Sequence, residues 1–397
     1  MGPDSRELAP RQAQRIASAQ VLVGGEKLLG RFEGHPARKI PIRSPLGEVL
    51  EVVKKEAGRG KDVVVLADGD PGFFGIGRSL IDALGKEAVV LHPAVTTLQA
   101  AASRLKIPWQ DIQAVSLHGR TDMMPLLRLL VRKDKVAVYT GPDFGPGRVA
   151  EELLRRGVDT FHMHVFENLG EESERMRCLE LKKAAGERFF SPNFVVLERR
   201  KRPGIPLCLG LDDERYLHQR GLITKREVRA VGLSALEIEP VHTVWDLGSG
   251  CGAVAIEASV LAHCGRVLAV ERDPERVGFI RENIRRTGAY VVEVVQGEMP
   301  ECLGSLPDPD RVFIGGGMGK GDGLLEEVMR RVKPGGKVVL HLVLLGSLSK
   351  ARDLLGAQGW PFSITQVQAG RSKSLASDLR FEALNPVYVV RATRPLD

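Results

Sequence analysis

A glycine-rich segment in the second half of the chain has the residue types of a nucleoside-binding site. In Asp246-Leu247-Gly248-Ser249-Gly250-Cys251-Gly252, an apolar run ends in three alternating glycines, and an apolar helix is predicted directly after them. Small residues let the backbone turn tightly and approach a ligand, and free amides at the start of a helix favour an anionic group. Glu271 ends the next predicted strand, where its carboxylate can accept hydrogen bonds from ribose hydroxyls. These residues predict a site for a nucleoside-bearing cofactor.

The glycine spacing alone leaves two cofactor classes open. Gly248, Gly250 and Ala253 satisfy the dinucleotide pattern G-x-G-x-x-G/A, so an NAD-dependent dehydrogenase is an alternative. Asp246 and Gly252 extend the segment to D-x-G-x-G-x-G, which resembles motif I of S-adenosylmethionine (SAM) methyltransferases. We therefore expect SAM as the cofactor, and titration with both cofactors distinguishes the two classes.

Predicted strands and helices alternate on both sides of these residues. The strands are Asp62–Ala67, Ala88–Leu91, Ile112–Leu117, Lys135–Thr140, Thr243–Leu247, Arg266–Glu271, Tyr290–Val295, Arg311–Ile314 and Lys337–Leu342, and the helices include Arg78–Leu84, Thr97–Leu105, Pro146–Arg156 and Ala253–Leu261. This alternation predicts an α/β fold with mainly parallel sheets in both halves.

A basic run followed by prolines separates the two halves. Arg199-Arg200-Lys201-Arg202 is followed by Pro203-Gly204-Ile205-Pro206, which cannot continue a helix or a central strand. We therefore predict one domain over residues 1–200 and a second over residues 203–397.

Composition excludes several classes of protein. The chain has 397 residues, 43% hydrophobic and 27% charged, which predicts a folded protein of two domains. Its longest apolar runs, such as Val338–Leu345 with His341 inside it, are too short to span a membrane, and the polar start favours a cytoplasmic protein. Five cysteines without a C-x-x-C pair predict reduced thiols and no metal site. The net charge is +7, and four basic residues lie together in the run 199–202. Because the excess of basic residues is largely local, we expect no nucleic-acid partner.

Several motifs of the second half together resemble the C15-methylating and decarboxylating component of cobalamin synthesis. They are the segment 221–229, the D-x-G-x-G-x-G loop, Gly297-Glu298-Met299-Pro300, the segment 309–316 and Glu382-Ala383-Leu384-Asn385-Pro386-Val387. The resemblance implies that Thr224, Gly248, Ser249, Gly250, Cys251, Gly252, Glu271, Glu298 and Met299 surround the cofactor, and that Lys225, Arg229, Gly315 and Gly316 face the substrate. Glu298-Met299 stands where the family more often has Asp-Ala. Thr224 and Glu227 are predicted to form a capping box that starts a helix.

A second set of motifs, in the first half, resembles the tetrapyrrole methylases and most closely their corrinoid C5 subgroup. The motifs are Val23-Gly24-Gly25, the glycine-rich and acidic segment 68–77, Pro93-Ala94-Val95-Thr96-Thr97, Ser116-Leu117-His118-Gly119-Arg120 and Phe166-Glu167-Asn168-Leu169-Gly170. By this resemblance Asp68, Gly69, Asp70, Phe73, Thr96, Thr97 and Thr140 line a cofactor cleft, and His118 and Arg120 are substrate-binding candidates. Members of the family begin with a strand before the glycine-rich loop in which this sequence opens. We therefore expect a neighbouring strand to lack a partner and the C5 activity to be weak or absent, unless the recorded start is too late or another chain fills the gap.

The two motif sets in this order resemble the fused precorrin-6Y methyltransferases. The fold expected from this likeness is an N-terminal tetrapyrrole-methylase-like domain followed by a C-terminal Rossmann-like class I SAM methyltransferase domain. The expected function is SAM-dependent methylation of a precorrin at C5 and C15 with decarboxylation of a ring acetate. A homo-oligomer is one of the states that the resemblance allows. No catalytic side chain is predicted, because a bound methyl donor and an electron-rich tetrapyrrole carbon need mainly correct placement. The alternatives are an RNA methyltransferase, or a chain whose first domain is only a docking platform beside an active C15 methylase.

Overall fold

The computed structural model describes residues 8–43, 45–219, 221–315 and 323–396. The chain divides into two compact units: the first comprises the described residues up to Thr121 together with Asp134–Val149 and His162–Glu198, and the second Asp122–Lys133, Ala150–Phe161 and the described residues from Arg199 onward. The predicted domain limits, 1–200 and 203–397, would instead place Asp122–Lys133 and Ala150–Phe161 in the first domain. These limits stay a proposal. Within the described ranges, no helix has the length and apolarity needed to cross a membrane, and no cluster of three or more His, Cys, Asp or Glu could hold a metal ion.

Short elements alternate along the chain up to residue 199. The helices are α1 (Pro10–Ala17), α2 (Glu26–Gly30), α3 (Leu46–Gly58), α4 (Gly77–Leu84), α5 (Thr97–Leu105), α6 (Met124–Arg132), α7 (Pro146–Arg155) and α8 (Leu181–Ala184). The strands are β1 (Val21–Gly24), β2 (Arg38–Pro41), β3 (Val63–Val65), β4 (Gln113–Ser116), β5 (Lys135–Tyr139), β6 (Phe161–Glu167), β7 (Arg175–Glu180) and β8 (Asn193–Arg199). The predicted alternation is therefore present.

These strands form two sheets. One is parallel, in the order β2-β1-β3, and the other has the order β4-β5-β8-β6-β7. In the second sheet β4 and β5 are parallel, whereas β5 with β8 and β6 with β7 are antiparallel. The prediction of mainly parallel sheets is wrong here, because the connection of residues 168–174 between β6 and β7 is too short for a parallel crossover.

The predicted strand Ala88–Leu91 does not form. Lys86–Ala88 is instead one turn of 3₁₀ helix, and Val90, which follows it, is 77% exposed. Among the described residues, β3 pairs only with β1, so the other edge of β3 has no strand partner. A β-branched run becomes a strand only where a neighbouring strand accepts its backbone hydrogen bonds, and this segment has none.

The second unit is built on one large sheet. Its helices are α9 (Arg226–Leu236), α10 (Ala253–Leu261), α11 (Pro274–Thr287), α12 (Gly323–Arg331) and α13 (Leu345–Ala357). Its strands are β9 (Thr243–Leu247), β10 (Arg266–Glu271), β11 (Val292–Gln296), β12 (Arg311–Ile314), β13 (Lys337–Leu342), β14 (Phe362–Val367), β15 (Gly370–Leu375), β16 (Asp378–Ala383) and β17 (Val387–Thr393). The sheet has the order β11-β10-β9-β12-β13-β17-β14, and β15 and β16 form a separate hairpin. Strands β9 to β13 are parallel, whereas β17 is antiparallel to both of its neighbours.

The strand order reverses between β9 and β12, and this reversal sets the position of the loops. From β9 the chain continues to β10 and β11 on one side, whereas β12 and β13 lie on the other side. In such doubly wound sheets a crevice opens at the carboxyl ends of the strands where the order reverses. The segments after β9 and β12, which begin at Gly248 and Gly315, therefore lie at this edge.

Both faces of the sheet are covered by packed side chains. On β13, Val338, Leu340 and Leu342 belong to a buried cluster that also contains Trp245 and residues of α12 and α13. His341 lies on the opposite face with Phe313 of β12, against α9. The strands are consequently apolar on both faces, as expected for a buried parallel sheet.

Candidate cofactor and substrate site

A cavity of about 1210 Å³ opens at the carboxyl edge of the large sheet. Of the residues predicted for this half, it is lined by Thr224, Lys225, Gly248, Ser249, Gly250, Cys251, Glu271, Glu298, Met299 and Gly315. Gly252 and Arg229 do not line it, and Gly316 lies outside the described residues. The structure therefore brings together residues from four separate motifs of the sequence.

The glycine loop after β9 adopts a backbone that only glycine tolerates well. Gly248, Gly250 and Gly252 have φ angles of 70°, 60° and 83°, in the left-handed region where a Cβ atom causes strain. Around Gly250 there is open space, whereas a Cβ atom on Gly252 would approach Cγ2 of Ile280 to 3.0 Å. The first two glycines thus expose the backbone to the cavity, and Gly252 allows α10 to pack against α11.

Asp246 stabilises the loop through hydrogen bonds and does not line the cavity. Its carboxylate oxygen Oδ2 accepts a hydrogen bond of 2.6 Å from the Ser249 hydroxyl and one of 3.0 Å from the backbone N–H of Ala255. Burial raises the pKa of Asp246 to about 6. The side chain of Ser249 is therefore engaged inside the loop, and the position of the first turn of α10 depends on the same carboxylate.

Glu271 lies at the end of β10, beside the glycine loop, and is only 4% exposed. Its Oε2 accepts a hydrogen bond of 2.8 Å from the N–H of Gly250, and its Oε1 accepts from the N–H groups of Arg272 and Asp273 at 3.0 and 3.1 Å. A carboxylate has about four acceptor positions, so it can accept a further hydrogen bond from a ligand hydroxyl. The backbone contacts hold the carboxylate in one orientation.

Cys251 also lines the cavity but has no thiolate character. Burial raises the pKa of its thiol to about 11. Because the thiolate is the nucleophilic form, this cysteine is inert at neutral pH. The carbonyl of Cys251 accepts a hydrogen bond from the Asn283 side-chain amide at 2.9 Å, which anchors the loop to α11.

The predicted role of Arg229 needs correction. Its guanidinium is 0% exposed, donates to Glu257 at 2.8 Å and to Asp213 at 3.2 Å, and also reaches the carbonyls of Thr224 and Leu211. A cation enclosed by these acceptors cannot meet a substrate carboxylate. Sequence spacing placed it one turn from Lys225 but could not show that this face of α9 is buried.

The start of α9 also differs from the prediction. Lys225 is the N-cap residue and makes no side-chain cap, so the capping box of Thr224 and Glu227 does not form. Glu227 instead accepts hydrogen bonds from Arg371 of β15 at 3.1 and 2.7 Å. The Arg371 guanidinium is the main cause that lowers the pKa of Glu227 to about 2. Lys225 is half-buried and lines the cavity, and its role in substrate binding stays a prediction.

Several lining residues were not predicted from the sequence. They are chiefly Arg272, Arg276, His341, Val343 and Asn385. The two arginines follow Glu271 at the same edge of the sheet, so the rule that ligands bind there could have identified them. His341 gave no such signal, because a histidine inside an apolar strand is usually a packed core residue.

In the first unit, the loop after β3 contacts the segment that leads into α5. Asp70 accepts hydrogen bonds from the N–H of Gly72 at 2.7 Å and of Ala94 at 3.3 Å. Gly69 has a φ of 71°, and a Cβ atom there would contact the backbone of Thr96 at 3.7 Å. Thr96 caps α5 by accepting from the N–H of Gln99. Gly69 therefore shapes this edge through its backbone, and Asp70 and Thr96 do so through side-chain oxygens that accept from backbone N–H groups.

The aromatic and hydroxyl residues predicted for the first unit lie beside the end of β5. The ring of Phe73 contacts that of Tyr139 with centroids 6.2 Å apart. Burial raises the pKa of Tyr139, and hydrogen bonding to Thr97 opposes this increase. Thr140 donates to the carbonyl of Asn193 at 2.6 Å. Phe73, Thr97 and Thr140 are thus brought to one region.

The remaining predicted residues of this half are exposed. Asp68, His118 and Arg120 all face solvent, and the guanidinium of Arg120 donates to the carbonyl of Ser116 at 2.7 Å. A cavity of about 370 Å³ lies beside β3 and is lined by Gly69, but not by the other predicted residues of this half. The substrate roles of His118 and Arg120 remain predictions.

Comparison with known proteins gives matches to both halves. Residues 1–185 match the family model of the tetrapyrrole (corrin/porphyrin) methylases, and residues 215–394 match that of the precorrin methyltransferase domain. A precorrin-6Y C(5,15)-methyltransferase [decarboxylating] of Sinorhizobium sp. is 37% identical over 337 residues, which cover 83% of this chain and 79% of that protein. A cobalt-precorrin-7 C(5)-methyltransferase of Salmonella typhimurium is 34% identical over 45% of this chain and 87% of its own length. A crystal structure of a precorrin-6Y C5,15-methyltransferase from Geobacter metallireducens is 41% identical over 48% of this chain and 99% of its own, with a TM-score of 0.46.

Proposed function

The chain belongs to the family of the decarboxylating precorrin-6Y C(5,15)-methyltransferases, and from this membership we propose which reactions its two units carry out. The resemblance drawn from the sequence is confirmed, and the chain is a methyltransferase of cobalamin biosynthesis. We propose that the second unit methylates a precorrin at C15 with decarboxylation of a ring acetate, and that the first unit methylates C5. A dehydrogenase or an RNA methyltransferase would belong to a different family.

The proposal that SAM binds in the large cavity rests on the position of Glu271 beside Gly250. A ribose can be held by the carboxylate of Glu271, while the open space around Gly250 lets the backbone approach the rest of the ligand. Glu298 and Met299 would lie on the adenine side, as the family motif implies. When bound, SAM supplies an electrophilic methyl group. The residues of the chain therefore need to hold the donor and the accepting carbon in line.

The positive charges around the cavity favour a substrate with several carboxylates. Three cations line it: Lys225 at the start of α9, and Arg272 and Arg276 where β10 passes into α11. Arg272 also pairs with Glu298 at 3.0 Å, and both side chains are largely exposed, so a substrate carboxylate can compete for the guanidinium. The volume of the cavity leaves room for a large ligand beside the cofactor.

Activity of the first unit is a separate part of the proposal. Gly69, Thr97 and Phe73 gather at one edge, as a cofactor cleft requires, and this supports SAM binding there too. If only the second unit is active, the product carries the C15 methyl group and has lost carbon dioxide, but lacks the C5 methyl group. A cytoplasmic location is also part of this proposal.

Mass spectrometry of a precorrin mixture incubated with the chain and SAM tests both parts. We expect a product that has gained two methyl groups and lost carbon dioxide. Glu271→Gln should abolish the C15 methylation with decarboxylation, and Phe73→Ala should reduce only the C5 methylation. Glu239→Gln, an exposed change at the opposite edge of the large sheet, is the matched control. A chain that binds SAM but transfers no methyl group to any precorrin would refute the proposed function.

A further inference from the structure

His341 of β13 is a buried polar side chain without a partner. It is 6% exposed and lines the large cavity, and neither ring nitrogen has a hydrogen-bond partner among the residues that the structure describes. A neutral imidazole carries one donor and one acceptor. Buried polar groups are nearly always hydrogen-bonded, so an unsatisfied one next to a ligand cavity calls for a partner from that cavity.

The surroundings of the imidazole are apolar and leave it little freedom. The ring of Phe313 packs edge-on against it, with centroids 4.6 Å apart and planes at 79°. Gly232 of α9 also lies against the imidazole, because a Cβ atom there would be 2.4 Å from Nε2 of His341 and 3.0 Å from the ring of Phe313. Glycine at position 232 therefore leaves the space that the imidazole occupies.

The imidazole is neutral under ordinary conditions. Burial lowers the pKa of His341 to about 4, and no charged group contributes to this decrease. The cations Lys225, Arg272 and Arg276, which also line the cavity, thus leave the pKa of His341 unaffected. The cavity consequently combines charged groups with one neutral hydrogen-bonding group on β13.

We propose that His341 holds the acetate carboxylate that the substrate loses as carbon dioxide, by donating an N–H hydrogen bond to it. This inference rests on the proposed function, because it assigns the position of the decarboxylating group within the same site. The inference also distinguishes two kinds of substrate carboxylate. Those that remain in the product bind cations, and the one that is lost as carbon dioxide binds a neutral donor.

The chemistry explains why a neutral donor suits this position. Transfer of CH₃⁺ to the meso carbon leaves a positive charge on the macrocycle. The bond between the acetate methylene and its carboxylate carbon then breaks, the electron pair moves into the macrocycle and neutralises that charge, and carbon dioxide leaves. The former methylene carbon takes up one proton as the methylated meso carbon loses one, so atoms and charge balance.

A cation at the same place would oppose this step. Negative charge moves away from the carboxylate as the carbon–carbon bond breaks, so a cation would stabilise the reactant more than the transition state and raise the barrier. A neutral hydrogen bond orients the carboxylate with a much smaller penalty of this kind. The buried ring of Phe313 packs against the imidazole and makes this part of its surroundings apolar.

The test compares His341→Phe, His341→Asn and His341→Lys in the full chain with SAM and a precorrin mixture. We expect His341→Phe to bind SAM like the parent and to transfer the C15 methyl group. Its rate of carbon dioxide loss should fall about tenfold, equivalent to about 1.4 kcal/mol, so that a methylated product retaining the carboxyl group accumulates. His341→Asn keeps a neutral donor and should recover part of the loss, whereas His341→Lys should decarboxylate most slowly.

A second histidine provides the control. His242 precedes β9 at the opposite edge of the same sheet, and its Nδ1 accepts from the N–H of Glu239 at 2.9 Å. His242→Asn should leave both methylation and decarboxylation unchanged. If His341→Phe loses carbon dioxide as fast as the parent, the inference is overturned while the proposed function stands. A parent chain that methylates no precorrin would overturn both.

Discussion

Arg229→Met should destabilise the second unit strongly, whereas Lys225→Met, four residues earlier, should not. The Arg229 guanidinium is fully buried and donates to two carboxylates, those of Glu257 and Asp213. Removing one partner of a buried ion pair typically costs about 3–5 kcal/mol, because the other charge remains in a medium of low dielectric constant. Lys225 is half-buried and has no ion pair among the described residues, so its substitution should alter stability by at most about 0.5 kcal/mol.

The structure places the expected loss at the lower end of this range. Without Arg229, Glu257 still accepts hydrogen bonds from the N–H groups of Gly210 and Leu211 and from the Tyr216 hydroxyl. Asp213 keeps its contact of 2.8 Å with Arg371. Both carboxylates therefore remain partly compensated, and we expect the free energy of unfolding to fall by about 3 kcal/mol.

Urea denaturation followed by tryptophan fluorescence measures this loss in the intact chain. Trp109 is half-exposed and lies in the first unit, whereas Trp245 and Trp360 are buried in the second. In a Trp109→Phe background the fluorescence reports the second unit alone. With m on the order of 1–3 kcal/mol/M, Arg229→Met should lower the midpoint by about 1–3 M. An unchanged midpoint together with weaker precorrin binding would refute the buried cluster and restore the role first predicted for Arg229.

Three further predictions concern the cofactor loop. The pKa of Asp246 is raised from 3.8 to about 6, so the folded chain binds this proton more tightly than the unfolded chain. The contribution of Asp246 to the free energy of unfolding should therefore fall as the pH rises from about 4 to about 6. Urea titrations across this range should show that slope in the parent and not in Asp246→Asn. The thiol of Cys251 should react with iodoacetamide far more slowly at pH 8 than that of the exposed Cys208, and equal rates would contradict its burial. Gly252→Ala should cost about 1–3 kcal/mol, since φ is 83° and the Cβ atom would lie 3.0 Å from Ile280; an unchanged urea midpoint would show that the loop relaxes.

Sequence patterns predicted the central strands well because their environment is uniform. Thr243–Leu247, Arg266–Glu271, Arg311–Ile314 and Lys337–Leu342 were predicted with the limits that the structure has, since buried parallel strands appear as uninterrupted apolar runs. Ala88–Leu91 has the same composition but forms no strand. Strand formation depends on a partner in space, and a local pattern contains no information about that partner.

The site was predictable where function depends on backbone geometry and unpredictable where it depends on tertiary burial. Alternating glycines and a following carboxylate predict a cofactor loop from the sequence, and the structure places these residues at one cavity. Arg229 and His341 show the opposite case. Arg229 was predicted to face the substrate and His341 was given no role in the site, whereas the fold buries the cation and brings the histidine to the cavity.

The buried charged cluster under the loop positions three parts of the cavity with respect to one another. Glu257 lies on α10, directly after the glycine loop, and Asp213 lies in the segment that leads to α9. Arg229 joins both carboxylates from α9, and Arg371 joins Asp213 and Glu227 to the hairpin of β15 and β16. Because apolar residues of similar volume would often stabilise a fold as well or better, a buried cluster of this kind is better explained by the geometry it fixes than by stability. That geometry sets the positions of the loop, of the start of α9 with Lys225 and of the hairpin. In the proposed function, the placement of the methyl donor against its acceptor depends on these elements.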